Sequence, residues 1–191
     1  SYTMAIDAAN SCLENSRYEA ADLDIIISCS IARFVGDCSY YEPPMSLFLK
    51  HKLGAEKAIF VDVSNAWAGM FSGLFSLESM IKAGIVKNGL VVSGEYISTI
   101  AETAVLEAKD IYDPQFGSLT VGDAGAAVIL DKAVDDNDMI DCFNLISTPE
   151  YSELAIGKPS NESNRYAMDA SNYKMHTEER LKIWPNIQTS L

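Results

Sequence analysis

The stretch Val61-Asp62-Val63-Ser64-Asn65-Ala66-Trp67-Ala68-Gly69-Met70 runs a buried-looking strand straight into an apolar helix. A helix N-terminus offers unpaired N–H groups and a positive dipole end. A thiol placed there has a lowered pKa and a larger thiolate fraction, so such a turn is a good seat for a nucleophile. In this chain the turn holds no nucleophilic side chain other than the hydroxyl of Ser64. Its most prominent residue is Trp67, whose indole reads as a packing aromatic. Ser64 and Asn65 could hydrogen-bond a ligand, but small polar residues at a helix start more often cap it.

Other candidates for chemistry are sparse. The four cysteines, Cys12, Cys29, Cys38 and Cys142, form no CxxC pair and no metal-like cluster with His51 or His176. Cys38, in a loop with Gly36 and Asp37, is a possible substitute nucleophile, although no histidine partner is visible. Arg33, Lys50, Lys52 and Lys57 could meet an anionic ligand, or simply form a solvated face. No cofactor or metal is implied. The net charge of -13 argues against nucleic acid, which needs a basic footprint. No apolar run reaches membrane-spanning length, and the start at Ser1 has no leader-like pattern. Scattered cysteines read as reduced thiols and a cytoplasmic setting.

The elements that must position the turn follow from periodicity. Apolar residues at helical spacing predict a helix from about Thr3 to Ser16. Ile25-Ile26-Ile27-Ser28-Cys29 reads as a strand buried on both faces, and Ala58 to Val63 as a second. A helix from Pro43 to Leu53, closed by Gly54, lies between them. Ala68 to Ala83 is apolar nearly all round and predicts a central, buried helix. Gly89 to Gly94 and Ala124 to Leu130 predict two more strands, with a short helix around Ala101 to Ala108 between them. Met139 to Thr148 is expected to pair with the Ala124 strand as a hairpin. The tail from Ser152 is polar, with one helix possible at Tyr173 to Ile183. Strands alternating with helices indicate a largely parallel sheet covered on both faces.

From Leu53-Gly54 to Leu130 the chain resembles ketoacyl synthase III of the thiolase superfamily. Asp62-Val63 and Ala66-Trp67-Ala68-Gly69 fall without a gap on that family's strand end and nucleophile turn. Ala83-Gly84-Ile85-Val86-Lys87-Asn88-Gly89-Leu90-Val91-Val92 matches its helix end and following strand. Val121-Gly122-Asp123-Ala124-Gly125-Ala126-Ala127-Val128 matches its glycine-rich strand entry. The resemblance extends back to about Ala5.

The resemblance implies a thiolase-like α/β fold: a mixed, mostly parallel five-stranded sheet with helices on both faces, one half of a duplicated architecture. Residues 1–150 would be the half domain, lacking a first strand upstream of Ser1, and 151–191 a connector or partial following segment. It implies a pocket built from Ser64, Asn65, Ala66, Trp67, Ala68, Gly122, Asp123 and Gly125, the glycines serving close backbone packing. Trp67 occupies the position of the nucleophilic cysteine, and indole cannot form a thioester. The catalytic histidine and asparagine of the family belong to its second half, and neither His51 nor His176 stands where that histidine would. In the family an aromatic residue before the Pro43 position reaches across a dimer to line the partner's acyl pocket. Here that position is Glu42, preceded by Tyr40 and Tyr41.

Two functions are therefore expected. One is a 3-oxoacyl-acyl-carrier-protein synthase III-like protein of fatty-acid or polyketide-type condensation, without the usual thioester step. The other is a non-catalytic subunit or acyl-binding pseudoenzyme in a condensing-enzyme dimer. Acyl-CoA or acyl carrier protein is the implied small partner in either case.

Overall fold

The computed structural model describes residues 1–35, 38–135, 138–146, 149 and 152–170. Its elements are α1 (Tyr2–Glu14), β1 (Ile25–Ser28), β2 (Phe34–Val35), β3 (Cys38–Ser39), α2 (Met45–Leu53), β4 (Ile59–Asp62), α3 (Gly69–Lys82), β5 (Asn88–Glu95), α4 (Ser98–Glu107), β6 (Ala124–Asp131), β7 (Ala155–Pro159) and β8 (Tyr166–Ala170). One turn of 3-10 helix, Ala66–Ala68, precedes α3. Two units are distinguished: Ser1–Tyr96 with Asp123–Asn144, and Ile97–Gly122 with Leu145–Leu191.

The first unit is built on a four-stranded sheet of order β4-β1-β5-β6. β1 runs parallel to β4, with Ile25 opposite Ile59, and parallel to β5, with Ile26 opposite Leu90. β6 is antiparallel to β5, from Asn88–Asp131 at one end to Glu95–Ala124 at the other. Alternate residues of a strand face opposite sides, and both sides are covered here. Ile26, Leu90 and Val92 pack with Ala5 and Ala9 of α1 and Met45 and Leu49 of α2. Ile25, Ile27, Cys29 and Val91 pack with Leu77 of α3 on the other side. The mixed, mostly parallel sheet between helices is the expected class.

The close approach of the helices depends on small residues. α3 turns Gly69, Gly73 and Leu77 to the sheet. A Cβ at Gly73 would lie 2.5 Å from Cys29 Sγ and 2.8 Å from Val91 Cγ1. α1 rests on Gly125, where a Cβ would lie 2.5 Å from the Met4 carbonyl oxygen. Gly54 ends α2 in the left-handed region at φ 74°, as its place after Leu53 predicts.

Four expectations need correction. Among the described residues no fifth strand pairs with β6: the described part of Met139–Thr148 is irregular, and its Asp141, Cys142 and Asn144 break the apolar pattern a paired strand needs. The Ala58–Val63 strand is not buried. β4 is an edge strand, and Ile59, Phe60 and Val61 are 48%, 39% and 42% exposed. α3 is not buried all round: Phe71 and Phe75 stand exposed on the side opposite Gly69, Gly73 and Leu77. The polar tail, for which only a helix was read, also carries strands: β7 and β8 form an antiparallel hairpin. The possible helix at Tyr173–Ile183, like Gly36, Asp37 and Thr148, lies outside the described residues.

In the second unit, α4 buries Thr103 and Ala104. Ser118 Oγ donates to the Met168 carbonyl at 2.9 Å. The β7–β8 turn is fastened by Glu107, whose carboxylate accepts from Ser160 Oγ and Ser163 Oγ at 2.6 Å each and from Gln115 Nε2 at 2.9 Å. These three donors hold the Glu107 carboxyl below its ordinary value.

Candidate functional site

β1 and β4 end level with each other, and β5 runs on past them to Glu95. Ser28 of β1 is level with Asp62 of β4 and with Val92 of β5. Ligands of open α/β sheets bind outside the carboxyl ends of the strands. The Ser64–Ala68 turn stands at this end, between β4 and the N-terminus of α3.

The turn is strained at one residue. Ala66 has φ 41°, a left-handed conformation costing about 1–2 kcal/mol for a residue with a Cβ. The next residue, Trp67, begins the climb into α3, and its side chain is 68% exposed. The expectation of a packed indole is thus not met: Trp67 stands mostly open among the described residues. Phe71 and Phe75, four residues apart in α3, share one exposed face of the helix. Phe75 meets Phe143 edge-on at 5.5 Å.

Ser64 and Asn65 do not cap α3. Its N-cap is Ala68, which makes no side-chain cap bond. Asn65 instead donates through Nδ2 to Ser72 Oγ at 2.7 Å, tying the turn to the helix one turn further on. The Gly69 N–H that opens α3 donates to the Ala66 carbonyl, so the turn closes onto the helix through its own backbone. Gly125 has the close-packing role expected of it, under α1. Gly122 does not, since a Cβ there meets nothing within 4 Å. Asp123, just before β6, is exposed.

Two carboxylates that sequence reading did not single out organise this end of the sheet. Asp62 accepts from the backbone N–H of Met45 and of Ser46, both at 2.9 Å, and so caps α2 from outside. It also pairs with Arg33 at 2.8 Å. Glu95 accepts from the N–H of Ile31 at 2.6 Å and of Ala32 at 2.9 Å, holding the loop after β1. Burial pushes the Glu95 carboxyl above its ordinary 4.5 against the pull of those N–H groups. The Asp62-Val63 pair was visible in the sequence, but its partners were not.

The loop candidates lie beside Asp62. Tyr40 packs edge-on to Tyr2, with centroids 6.4 Å apart. Tyr41 is 80% exposed and Glu42 is exposed. Of the basic residues, Lys50 lies over Phe60 and Lys52 over Phe48, at 5.9 and 5.6 Å from the ring centres. Arg33 is drawn in by Asp62, and Lys57 is exposed.

All four cysteines are free thiols. Burial pushes the Cys29 thiol from 9.0 up to about 11, and the Asp62 charge adds to the rise. At pH 8 an unperturbed thiol is about one-tenth thiolate, whereas one at 11 is about one-thousandth. Iodoacetamide at pH 8 is therefore expected to label the exposed Cys38 and Cys142 and to spare Cys29, as read by peptide mass mapping. The sign for stability follows. The folded thiol holds its proton more tightly, so its contribution is complete below pH 9 and is lost as pH rises toward 11.

The comparisons with known proteins agree with this architecture. Residues 61–149 match the family model of 3-oxoacyl-[acyl-carrier-protein] synthase III. Beta-ketoacyl-[acyl-carrier-protein] synthase III of Oceanobacillus iheyensis is 31% identical over 122 residues, 64% of this chain and 38% of that protein. The Bacillus pumilus protein of the same name is 32% identical over 127 residues, 66% of this chain and 36% of that protein. A crystal structure of Xanthomonas campestris OleA superposes with a TM-score of 0.80 at 20% identity, covering 97% of this chain and 53% of OleA. Another OleA structure, with bound lauric acid and lauroyl-CoA, gives 0.76 at 20% identity, covering 91% of this chain and 51% of OleA. The chain thus spans under two fifths of the length of these curated relatives and about half that of the solved structures. The chain is thus similar to ketoacyl synthase III in sequence, and its fold is thiolase-like. No helix among the described residues is long and apolar enough to cross a membrane.

Proposed function

We propose that this chain carries the nucleophile-side half of an acyl-condensing protein that has given up the covalent acyl-enzyme step. On this reading its substrates are those of ketoacyl synthase III, acyl-CoA or acyl carrier protein, in fatty-acid or polyketide-type synthesis. The observation that carries the proposal is Trp67 just before α3, in a strained turn that the family resemblance implies is the nucleophile position. An indole offers no lone pair for thioester formation, and Cys29, the thiol buried beneath α3, is held protonated. Residues 1–150 form the half domain on this reading and 151–191 the connector. Free thiols fit a cytoplasmic setting.

The test is intact-protein mass after incubation of the full-length protein with a panel of acyl-CoAs, beside a cysteine-bearing ketoacyl synthase III. No adduct is expected while the control is acylated. An adduct mapping to Cys38 or Cys29 would overturn the proposal and relocate the nucleophile.

A second reading, the non-catalytic subunit of a condensing-enzyme dimer, is favoured by β4. Its outer edge has no strand beside it among the described residues, and its side chains are apolar and half exposed. Such an edge is a ready template for pairing with another strand. Tyr40, Tyr41 and Glu42 would then reach into the partner's acyl pocket.

A further inference from the structure

We propose that Arg33 is a positioning residue: its guanidinium clamps the Tyr40–Glu42 segment to the end of β4, and the clamp sets how Tyr41 and Glu42 are presented outward. The functional consequence rests on the dimer-subunit reading above, in which those side chains enter a partner's acyl pocket.

The clamp is assembled from one residue's main chain and side chain together. The Arg33 carbonyl accepts from the Tyr40 N–H at 2.9 Å. Arg33 Nη1 donates to the Tyr41 carbonyl at 3.2 Å. Arg33 Nη2 reaches Asp62 Oδ2 at 2.8 Å. Asp62 in turn holds the N–H groups of Met45 and Ser46. One carboxylate therefore fixes the Tyr40–Ser46 segment at both ends, directly at the start of α2 and through Arg33 at Tyr41. Asp62 is itself anchored, because the next residue, Val63, donates its N–H to the Ser28 carbonyl at 2.8 Å. The pair is largely withdrawn from water, with side-chain exposure of 25% for Arg33 and 16% for Asp62.

The chemistry explains why the residue is arginine. A planar fork satisfies a carboxylate and a carbonyl at once, in a fixed relative direction. A lysine ammonium reaches the same carboxylate as a point charge and leaves the direction of the second bond free. What the clamp holds is also informative. Tyr41 is 80% exposed and Glu42 is exposed, yet the backbone beneath them is pinned. A pinned backbone under exposed side chains lowers the ordering cost of inserting those side chains into a pocket. The depth to which an aromatic ring and a carboxylate enter an acyl pocket limits the chain that fits, so Arg33 is a chain-length determinant acting through Tyr41 and Glu42.

The experiment compares the full-length protein with Arg33→Met and Arg33→Lys by amide hydrogen exchange, and then each protein co-purified with an active ketoacyl synthase III by product chain-length profile. Arg33→Met is expected to speed exchange at Tyr40–Glu42 about tenfold, the loss of one charge-assisted bond, and to leave Met45 and Ser46 protected by Asp62. Arg33→Lys is expected to recover part of that protection. The product profile shifts in Arg33→Met and is partly restored in Arg33→Lys. Unchanged exchange at Tyr40–Glu42, or equal loosening at Met45 and Ser46, overturns the clamp. A shifted profile in Tyr41→Ala but not in Arg33→Met overturns the role assigned to Arg33 and leaves the subunit reading standing. No shift in either variant overturns both.

Discussion

Asp62→Ala is expected to destabilise the protein by about 3 kcal/mol, far more than loss of a surface ion pair, which is worth about 0–1 kcal/mol. The difference lies in what is left behind. Removing the carboxylate strands two N–H groups at the start of α2, an N-cap loss of about 1 kcal/mol. It also strands the Arg33 guanidinium in a site three-quarters withdrawn from solvent, where an uncompensated charge costs a further 2 kcal/mol or so. Asp62→Asn keeps an acceptor for α2 and loses the charge, so roughly half the effect is expected. Urea unfolding of the full-length protein reads both. A shift in midpoint for Asp62→Ala equivalent to less than about 1 kcal/mol would mean that the pair behaves as an exposed one.

Gly94→Ala is expected to cost about 3 kcal/mol or more, or to prevent α1 from docking. A Cβ at this position would fall 2.5 Å from the Ala5 backbone nitrogen and 2.8 Å from Ala5 Cβ, and against the Ser1 carbonyl oxygen. A clash with backbone has no rotamer to relieve it, so the helix must lift from β5 or the strand must bend. Gly122→Ala supplies the contrast, since nothing lies within 4 Å of its Cβ position and its effect should be within about 0.5 kcal/mol. Thermal unfolding of the two variants side by side separates the close approach from any general intolerance of glycine replacement.

The readable parts of the fold were those in which a residue's environment is set by its immediate neighbours in sequence. Ile25-Ile26-Ile27 reads as a doubly covered strand, and it is one. Ile59-Phe60-Val61 carries the same pattern and is an exposed edge. An apolar run records a demand for cover but not which surface supplies it. The same holds for α3, where the sheet covers the Gly69–Gly73–Leu77 side and leaves Phe71 open. β7 escaped notice because Gly157 and Pro159, which punctuate turns, lie within its five residues. The Trp67 turn was located by the change from strand to helix pattern. Asp62 and Glu95 were not singled out, because they bond mostly to backbone N–H groups, which every residue but proline carries, at positions 16 to 64 residues away.

The strand order has a consequence for synthesis on the ribosome. β1 is made first and lies between β4 and β5, so one of its edges can be filled only when Asn88–Glu95 has left the exit tunnel. At about 5–20 residues per second, the stretch separating β4 from the end of β5 takes roughly 2–7 seconds to translate. Throughout that interval the three isoleucines of β1 stand beside an unpaired edge while β4 already occupies the other. The nascent chain thus passes through an obligatory stage in which its most apolar strand is half paired, and a chaperone that shields short apolar segments has its greatest effect there. Slow codons read after Glu95 but before β5 has cleared the tunnel would lengthen the exposed stage and lower the yield of folded protein.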